Sequence, residues 1–335
     1  MSKYPAPPPS KRGDTATTLY GIRVEDPYRW LENGKDPEVQ AWVKAQNAYT
    51  RKILDALPAR AQLENRFAEL MYLDAVSPPL ERGGQLFYTR REKALEKPRL
   101  MVRPKTSQAA SGAAASANGH ANAAADHAGE RVLIDANTLS SDGSVSLGSW
   151  FPSWDGKQVV YALHENNADE ATLHLRDVAT GKDSAIDVIS GAKYAHPKWT
   201  PDNKGFYYEW LPTDPSIPVA ERPGRTELRF HRLGTDPKTD PTVFPATLDP
   251  KTFLAGQLSH DGRWLIVNVQ RGWQRTTIFV RDLQKNPHLT PVHASAPAAS
   301  GQSGEARAAA SARELGFTPL VTDQDAIFNV EWWKG

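Results

Sequence analysis

The sequence predicts a mainly β fold, an incomplete β-propeller preceded by an α-helical segment, and two observations lead to this. A strand–turn–strand unit, clearest over residues 258–283, recurs along the chain at intervals of roughly 50 residues. The apolar periodicity also changes, near Tyr72, from helical spacing to the alternation typical of strands. Repeats of about 40–50 residues that hold several strands each are typical of propeller blades.

Three turns mark the repeat. Asp155, Asp202 and Asp261 each stand just before an apolar run rich in β-branched and aromatic residues. Asp-Gly and related pairs tolerate the positive φ of a tight hairpin turn, and the runs that follow suit a half-buried pleated strand. With a fainter copy that begins at Gly83, the sequence predicts about four blades.

The final stretch starts a further strand pattern with Ile327, Phe328 and Trp332. A propeller closes its ring to remove unpaired sheet edges, and four blades plus the start of another are few for that. We therefore expect either an unusually small propeller or the first part of a longer protein.

Residues 1–71 are expected to form the helical segment. Asp36 is a suitable N-cap, and Pro37 fits the first turn because its missing N–H costs nothing there. Side chains three or four apart give this helix one packing face until Pro58, and a shorter helix follows. The faces are marked by Val39, Trp42, Gln46, Tyr49 and Ile53, and then by Leu63, Phe67 and Leu70.

Residues 72–335 are expected to form the partial propeller. Two Ala/Ser-rich inserts, near 107–129 and 294–312, carry too little apolar surface to order themselves and are predicted to be loops. The absence of cysteine excludes disulfides and thiolate chemistry, and a net charge of +1 gives no global field for nucleic acid or membrane. With no signal-peptide pattern and no long apolar run, a cytoplasmic location is expected.

Catalytic motifs are missing from these 335 residues. A Gly-x-Ser-x-Gly elbow, a Walker loop and an HExxH helix do not occur, and GQSG at 301–304 lies in a low-complexity tract. His164 and His174 fall within one blade unit, but strand alternation places His174 in solvent, so no metal site and no cofactor are predicted. His196 and His231 are interpreted as structural or exposed.

Several motifs in this order resemble the prolyl oligopeptidase family of serine peptidases, and the likeness covers essentially the whole chain. They are VEDPYRWLE at 24–32, YAHPKWTPDNKGFYYEWLPTDPSIP at 194–218, FHRLGTDP at 230–237 and LSHDGRW at 258–264. The resemblance implies a seven-bladed propeller stacked on an α/β-hydrolase domain, with the N-terminal helices packed on the hydrolase side.

The resemblance also implies function. Members of the family cut short peptides after proline with a Ser-Asp-His triad in the C-terminal hydrolase domain, so no triad residue is assigned to this chain. The propeller admits short peptides and lines an outer substrate pocket, for which the matching positions here are Leu175, Phe253 and Trp273. The expected partners are proline-containing peptides and the hydrolase domain, and these 335 residues alone are expected to be inactive.

A second class of function stays open at this point. A stand-alone propeller that acts as a binding module would need its open side sealed, by dimerisation or by unusual closure of its terminal strands. A reading frame that continues past Gly335 into a nucleophile elbow would distinguish the two interpretations.

Overall fold

The structure is a computed structural model that describes residues 4–105, 129–166, 168–286, 304–322 and 324–330, without the side chains of 304–308. Two compact units are present, Met1–Leu73 and Asp74–Gly335. The division lies two residues beyond the boundary expected from the sequence. Among the described residues, no helix has the length and apolar character needed to span a membrane.

The first unit contains a β-hairpin followed by two helices. Helix α1 begins where the sequence predicts, because the Asp36 carboxylate accepts a hydrogen bond from the Glu38 backbone N–H at 2.8 Å and Pro37 occupies the first turn. The elements are β1 (Ala16–Leu19), β2 (Ile22–Glu25), a 3₁₀ turn (Arg29–Glu32), α1 (Pro37–Asp55) and α2 (Arg60–Met71).

The Pro-rich lead lies along the predicted face of α1. Trp42, Gln46 and Tyr49, which project from one side of the helix, donate hydrogen bonds of 3.0, 2.9 and 2.6 Å to Ser10 Oγ, Pro8 O and Pro5 O. A proline-rich strand offers carbonyl acceptors but few N–H donors, so donor side chains on the helix are its natural partners.

Helix α2 has a different character, since none of its residues is buried. Its apolar side chains Leu63, Phe67, Leu70 and Met71 are 53 to 63% exposed. Because these positions recur three or four apart, they form one apolar stripe along the helix.

The described residues of the second unit form four antiparallel sheets in chain order, which confirms the predicted partial propeller of about four blades. Blade one is β3 (Ala75–Val76), β4 (Leu80–Arg82), β5 (Gln85–Arg91), β6 (Arg99–Pro104) and β7 (Arg131–Asp135). Blade two is β8 (Ser146–Pro152), β9 (Gln158–His164), β10 (Thr172–Asp177) and β11 (Asp183–Ser190). Blade three is β12 (Lys198–Trp199), β13 (Gly205–Trp210), β14 (Glu227–Arg232) and β15 (Thr242–Phe244). Blade four is β16 (Thr252–Leu258), β17 (Trp264–Arg271), β18 (Arg275–Asp282) and β19 (Thr318–Val321).

The predicted Asp turns join the first and second strands of blades two to four. In blade two, the Ser153 hydroxyl donates to Asp155 Oδ1 at 2.6 Å, and the same carboxylate oxygen accepts from the Lys157 N–H at 3.1 Å. The turn then needs positive φ, which Gly156 supplies at 68°. The pairs Thr200–Asp202 and Ser259–Asp261 repeat the arrangement in the next two blades.

Apolar cores lie between successive blades. Blades one and two share a cluster that includes Phe87, Leu100, Val159 and Tyr161, blades two and three share Leu173, Leu175, Trp199 and Phe206, and blades three and four share Leu228, Phe244, Leu254 and Phe279. Blades two and three therefore bury both faces against their neighbours in the chain, and blades one and four bury one face each.

The prediction that the second Ala/Ser-rich insert forms only loop is wrong. Residues Gly304–Glu314 form a helix, α3, which precedes β19. Ala312 is fully buried and Phe317 is 2% exposed, both in the core shared by blades three and four. Alanine has the highest helix propensity, so a small apolar contact is enough to hold such a helix. Residues 107–128 and 294–303 lie outside the described part of the chain.

The strand predicted to begin near Ile327 does not form in the residues that the structure describes. Residues 324–330 have no strand conformation, and Ile327 and Phe328 are 45% and 37% exposed. The Ala326 carbonyl accepts from the Thr276 N–H at 3.0 Å, so this segment lies beside β18. An alternating pattern becomes a strand only where a second strand pairs with it. Trp332 lies outside the described residues.

Candidate functional site

The three positions predicted to line a substrate pocket lie in two different environments. Leu175, on β10, is 6% exposed and belongs to the core between blades two and three. Phe253, on the first strand of blade four, is 47% exposed, and Trp273, in the turn between β17 and β18, is 90% exposed. The Gly272 N–H donates to the Lys251 carbonyl at 2.9 Å, which brings the Trp273 turn to the end of β16 that carries Phe253. Leu175 has almost no surface to offer a substrate.

Tyr194 joins Phe253, although the sequence analysis does not single it out. Its ring meets the Phe253 ring edge to face, with centroids 6.3 Å apart. Tyr194 lies in the connection from blade two to blade three, and only its place in the YAHP motif outside any strand marks it in the sequence. We call Tyr194, Phe253 and Trp273 the aromatic patch.

Charged groups border the patch. Lys193 Nζ lies 5.6 Å from the centroid of the Tyr194 ring and 3.3 Å from Asp169 Oδ2. These residues, with His164 and Ala168, line a cavity of about 380 Å³. Tyr194 is thus the member of the patch that lines this cavity, where its ring lies beside a cation and an anion.

A second cavity of about 350 Å³ opens between blades two and three. Thr172 and Ser190 of blade two line it, together with Arg222 from the long connection inside blade three. Arg222 is 3.6 Å from Glu170 Oε1, so its charge is already balanced at the cavity wall.

A deeply buried cluster of charged residues lies elsewhere in the same seam. His231, fully buried on β14, has Nδ1 3.0 Å from both oxygens of Asp240 and Nε2 2.8 Å from Asp187 Oδ1. Asp187 belongs to β11 of blade two, so the imidazole bridges two blades. The Tyr208 hydroxyl donates to Asp240 Oδ2 at 2.8 Å. We call His231, Asp187 and Asp240 the histidine clasp.

The clasp holds a charged imidazole. Burial alone would lower the pKa of His231, but the hydrogen bonds and charges of Asp240 and Asp187 raise it overall. Burial alone would raise the pKa of Asp187, yet hydrogen bonds from the Ser184 hydroxyl, the Gly234 N–H and His231 lower it. Because both ring nitrogens face carboxylates, the ring has none left for a substrate, and the clasp is structural.

One further histidine, His174, bears on the metal question. His174, which the sequence predicts in solvent, is instead half-buried, with its ring stacked on Tyr161 at 5.5 Å between centroids. Burial lowers its pKa. Within the described ranges, no three His, Cys, Asp or Glu side chains are grouped so as to hold a metal ion.

Comparison with known proteins agrees with this architecture. Residues 8–306 match the family described as the prolyl oligopeptidase N-terminal beta-propeller domain. The prolyl endopeptidase of Elizabethkingia miricola is 24% identical over 293 residues, which cover 87% of this chain and 38% of that protein. The dipeptidyl aminopeptidase BI of Pseudoxanthomonas mexicana is 26% identical over 271 residues, covering 79% of this chain and 36% of that protein.

Solved structures give the same result. A structure from a structural and mechanistic study of two prolyl endopeptidases has 44% identity and a TM-score of 0.78, and covers 98% of this chain and 41% of that one. Prolyl oligopeptidase B of Galerina marginata, bound to a 35-residue substrate, shares the fold with a TM-score of 0.68 at 21% identity, over 84% of this chain and 39% of that one. The chain thus spans about two fifths of the length of these relatives. With a family match over most of its length and four blades in its structure, this chain belongs to the prolyl oligopeptidase N-terminal β-propeller family.

Proposed function

We propose that this chain is the substrate-selecting propeller region of a proline-specific serine endopeptidase, which acts with an α/β-hydrolase domain. The observation that carries the proposal is the 44% identity, over 98% of this chain, to a structure from the study of two prolyl endopeptidases. The 335 residues contain no Gly-x-Ser-x-Gly motif, so the nucleophile has to come from another part of the enzyme.

The aromatic patch is proposed to contact the peptide substrate. Aromatic side chains bind proline-containing segments well, because the ring faces accept the flat, preformed surface of an extended peptide. Phe253 and Trp273 have the exposed area for this contact, and Tyr194 supports Phe253 edge on. Leu175 is not part of this proposal, because it is buried in the core.

The exposed stripe of α2 is proposed to pack on the hydrolase domain. Four apolar side chains on one face of a helix, each more than half exposed, form a surface that a soluble helix normally buries. This agrees with the position that the resemblance implies for the N-terminal helices. The cytoplasmic location stays a prediction.

Peptidase assays on the product of the complete reading frame test the proposal. We expect cleavage of a succinyl-Gly-Pro chromogenic peptide on the carboxyl side of proline, and none by residues 1–335 alone. Trp273→Ala and Phe253→Ala should raise KM several-fold and leave kcat unchanged, because a lost apolar contact weakens binding without touching the reacting atoms.

Tyr20→Ala is the matched control, since Tyr20 is a fully exposed aromatic residue of the first unit. Its kinetic constants should equal those of the unmodified enzyme. Cleavage that ignores proline, or hydrolysis by residues 1–335 purified alone, would contradict the proposed function.

A further inference from the structure

Tyr194 and Phe253 of the aromatic patch lie on two separate segments, and neither segment is held in place by its aromatic residue alone. Tyr194 lies in the connection 191–197 between blades two and three, which has no strand pairing of its own. Phe253 lies on β16, the first strand of blade four, which pairs with β17 alone among the strands that the structure describes. Their relative position therefore depends on whatever links the connection to the free edge of β16.

Glu209 makes that link. It lies on β13 of blade three and is 3% exposed. Its Oε2 accepts the His196 backbone N–H at 2.9 Å, two residues after Tyr194, and its Oε1 accepts the Gly256 backbone N–H at 2.8 Å, three residues after Phe253. Each carboxylate oxygen thus holds one of the two segments.

The surroundings of Glu209 reinforce the first of these contacts. His196 Nδ1 is 3.0 Å from the Tyr194 carbonyl oxygen, and Lys198 Nζ donates to the His196 carbonyl oxygen at 2.5 Å. Burial lowers the pKa of Lys198, and the negative charge of Glu209 opposes that change. The buried carboxylate is therefore satisfied by one backbone N–H at each oxygen, and its charge acts on Lys198 of the same blade.

The second contact requires close packing. Gly256 faces Leu228 of blade three, and a Cβ built at this glycine would lie 2.6 Å from Leu228 Cδ1. The absence of a side chain lets the β16 backbone approach blade three closely enough for its N–H to reach Glu209. Any displacement of β16 would break this hydrogen bond and carry Phe253 with it.

From these contacts we propose that Glu209 is a positioning residue that sets the distance between Tyr194 and Phe253, and thereby the fit of the substrate to the aromatic patch. The effect on substrate fit rests on the proposed function. The anchoring of the two segments by Glu209 concerns only the described fold. Glu209 touches neither substrate nor reacting groups, and it acts through the two backbone segments that it joins.

Glu209→Ala and Glu209→Gln test the proposal through two readouts. Hydrogen exchange in the 335-residue chain reports the anchoring, and we expect the His196 and Gly256 amides to exchange about tenfold faster or more in Glu209→Ala. Glu209→Gln should give a partial effect, because an amide offers one oxygen acceptor for two N–H groups. In the complete enzyme, KM for the Gly-Pro peptide should rise about tenfold in Glu209→Ala and less in Glu209→Gln, with kcat unchanged.

Glu227→Gln is the matched control, because Glu227 is a partly buried carboxylate of the same blade whose partners are Arg229 and Thr242. It should alter neither readout. Faster exchange at only one of the two amides in Glu209→Ala, equal acceleration in Glu227→Gln, or normal KM despite faster exchange would each overturn the proposal. If the complete enzyme cleaves no Gly-Pro peptide, the proposed function fails, and the exchange data alone decide whether Glu209 anchors the two segments.

Discussion

Blades two and three each have a joint to the preceding blade, made by a basic side chain at the same position, but the residues differ. Each of these two blades carries one basic side chain on its third strand, opposite the second residue of its second strand, and this side chain reaches the preceding blade. The residue is Arg176 in blade two and His231 in blade three. Arg176 donates to the Leu133 carbonyl at 2.5 Å, whereas His231 meets the Asp187 carboxylate. By the same register the four blades carry Arg103, Arg176, His231 and Arg281.

The difference concerns charge. Arg176 also makes a two-pronged ion pair with Asp183, at 2.7 Å from both oxygens, and Asp183 is 35% exposed. An arginine keeps its proton at every accessible pH, while a histidine loses it, and the clasp of blade three is fully enclosed. One joint is thus permanent and partly solvated, and the other is buried and dependent on a proton.

The largest effect should come from removing one partner of the clasp. Asp187→Ala leaves the imidazolium facing an empty site in the interior, and we expect a loss of about 3–5 kcal/mol in the free energy of unfolding. Asp183→Ala is the matched change at the solvated joint and should cost about 1 kcal/mol. Urea unfolding measures both, and equal losses would show that burial does not separate the two joints.

Raising the pH should weaken the same joint less than Asp187→Ala does, because a neutral imidazole keeps one N–H donor. The folded-state pKa of His231 is raised, so its contribution is complete below the ordinary value of about 6.5 and is lost as the pH rises through the folded-state value. The pKa of Asp187 is lowered, so its contribution is complete above about 3.9 and is lost as the pH falls through the folded-state value.

The melting temperature followed from neutral to alkaline pH measures this effect. We expect it to fall in the unmodified protein and to fall less in His231→Gln, which has no ring to titrate. Parallel curves for the two proteins would count against a charged imidazole in the clasp.

The smallest effect is expected in the aromatic patch. Trp273 is 90% exposed in a turn, so Trp273→Ala should change the free energy of unfolding by no more than about 0.5 kcal/mol. Thermal unfolding of this variant separates binding from folding, since the same change is expected to raise KM. A loss of unfolding free energy as large as that of Asp183→Ala would show that Trp273 stabilises the fold.

Local patterns in the sequence predict the blades and α1, because the Asp turns and the Asp36 cap act through neighbouring residues. The clasp is not predictable in this way, since its members stand at 187, 231 and 240 and meet only when two blades pack. Helix α3 escapes prediction for a similar reason, because its order depends on the burial of Ala312 in a distant core. Tyr194 and Glu209 likewise acquire their roles from contacts between blades.

The cores shared between successive blades have a consequence for synthesis on the ribosome. Because each blade buries one face only against the next, a newly made blade stays half uncovered until roughly 50 more residues emerge. At about 5–20 residues per second this interval lasts roughly 3–10 s. Leu228 and Phe244 of blade three are then open to chaperones until Leu254 and Phe279 follow, so the rate of translation through blade four sets how long the nascent chain is exposed to aggregation.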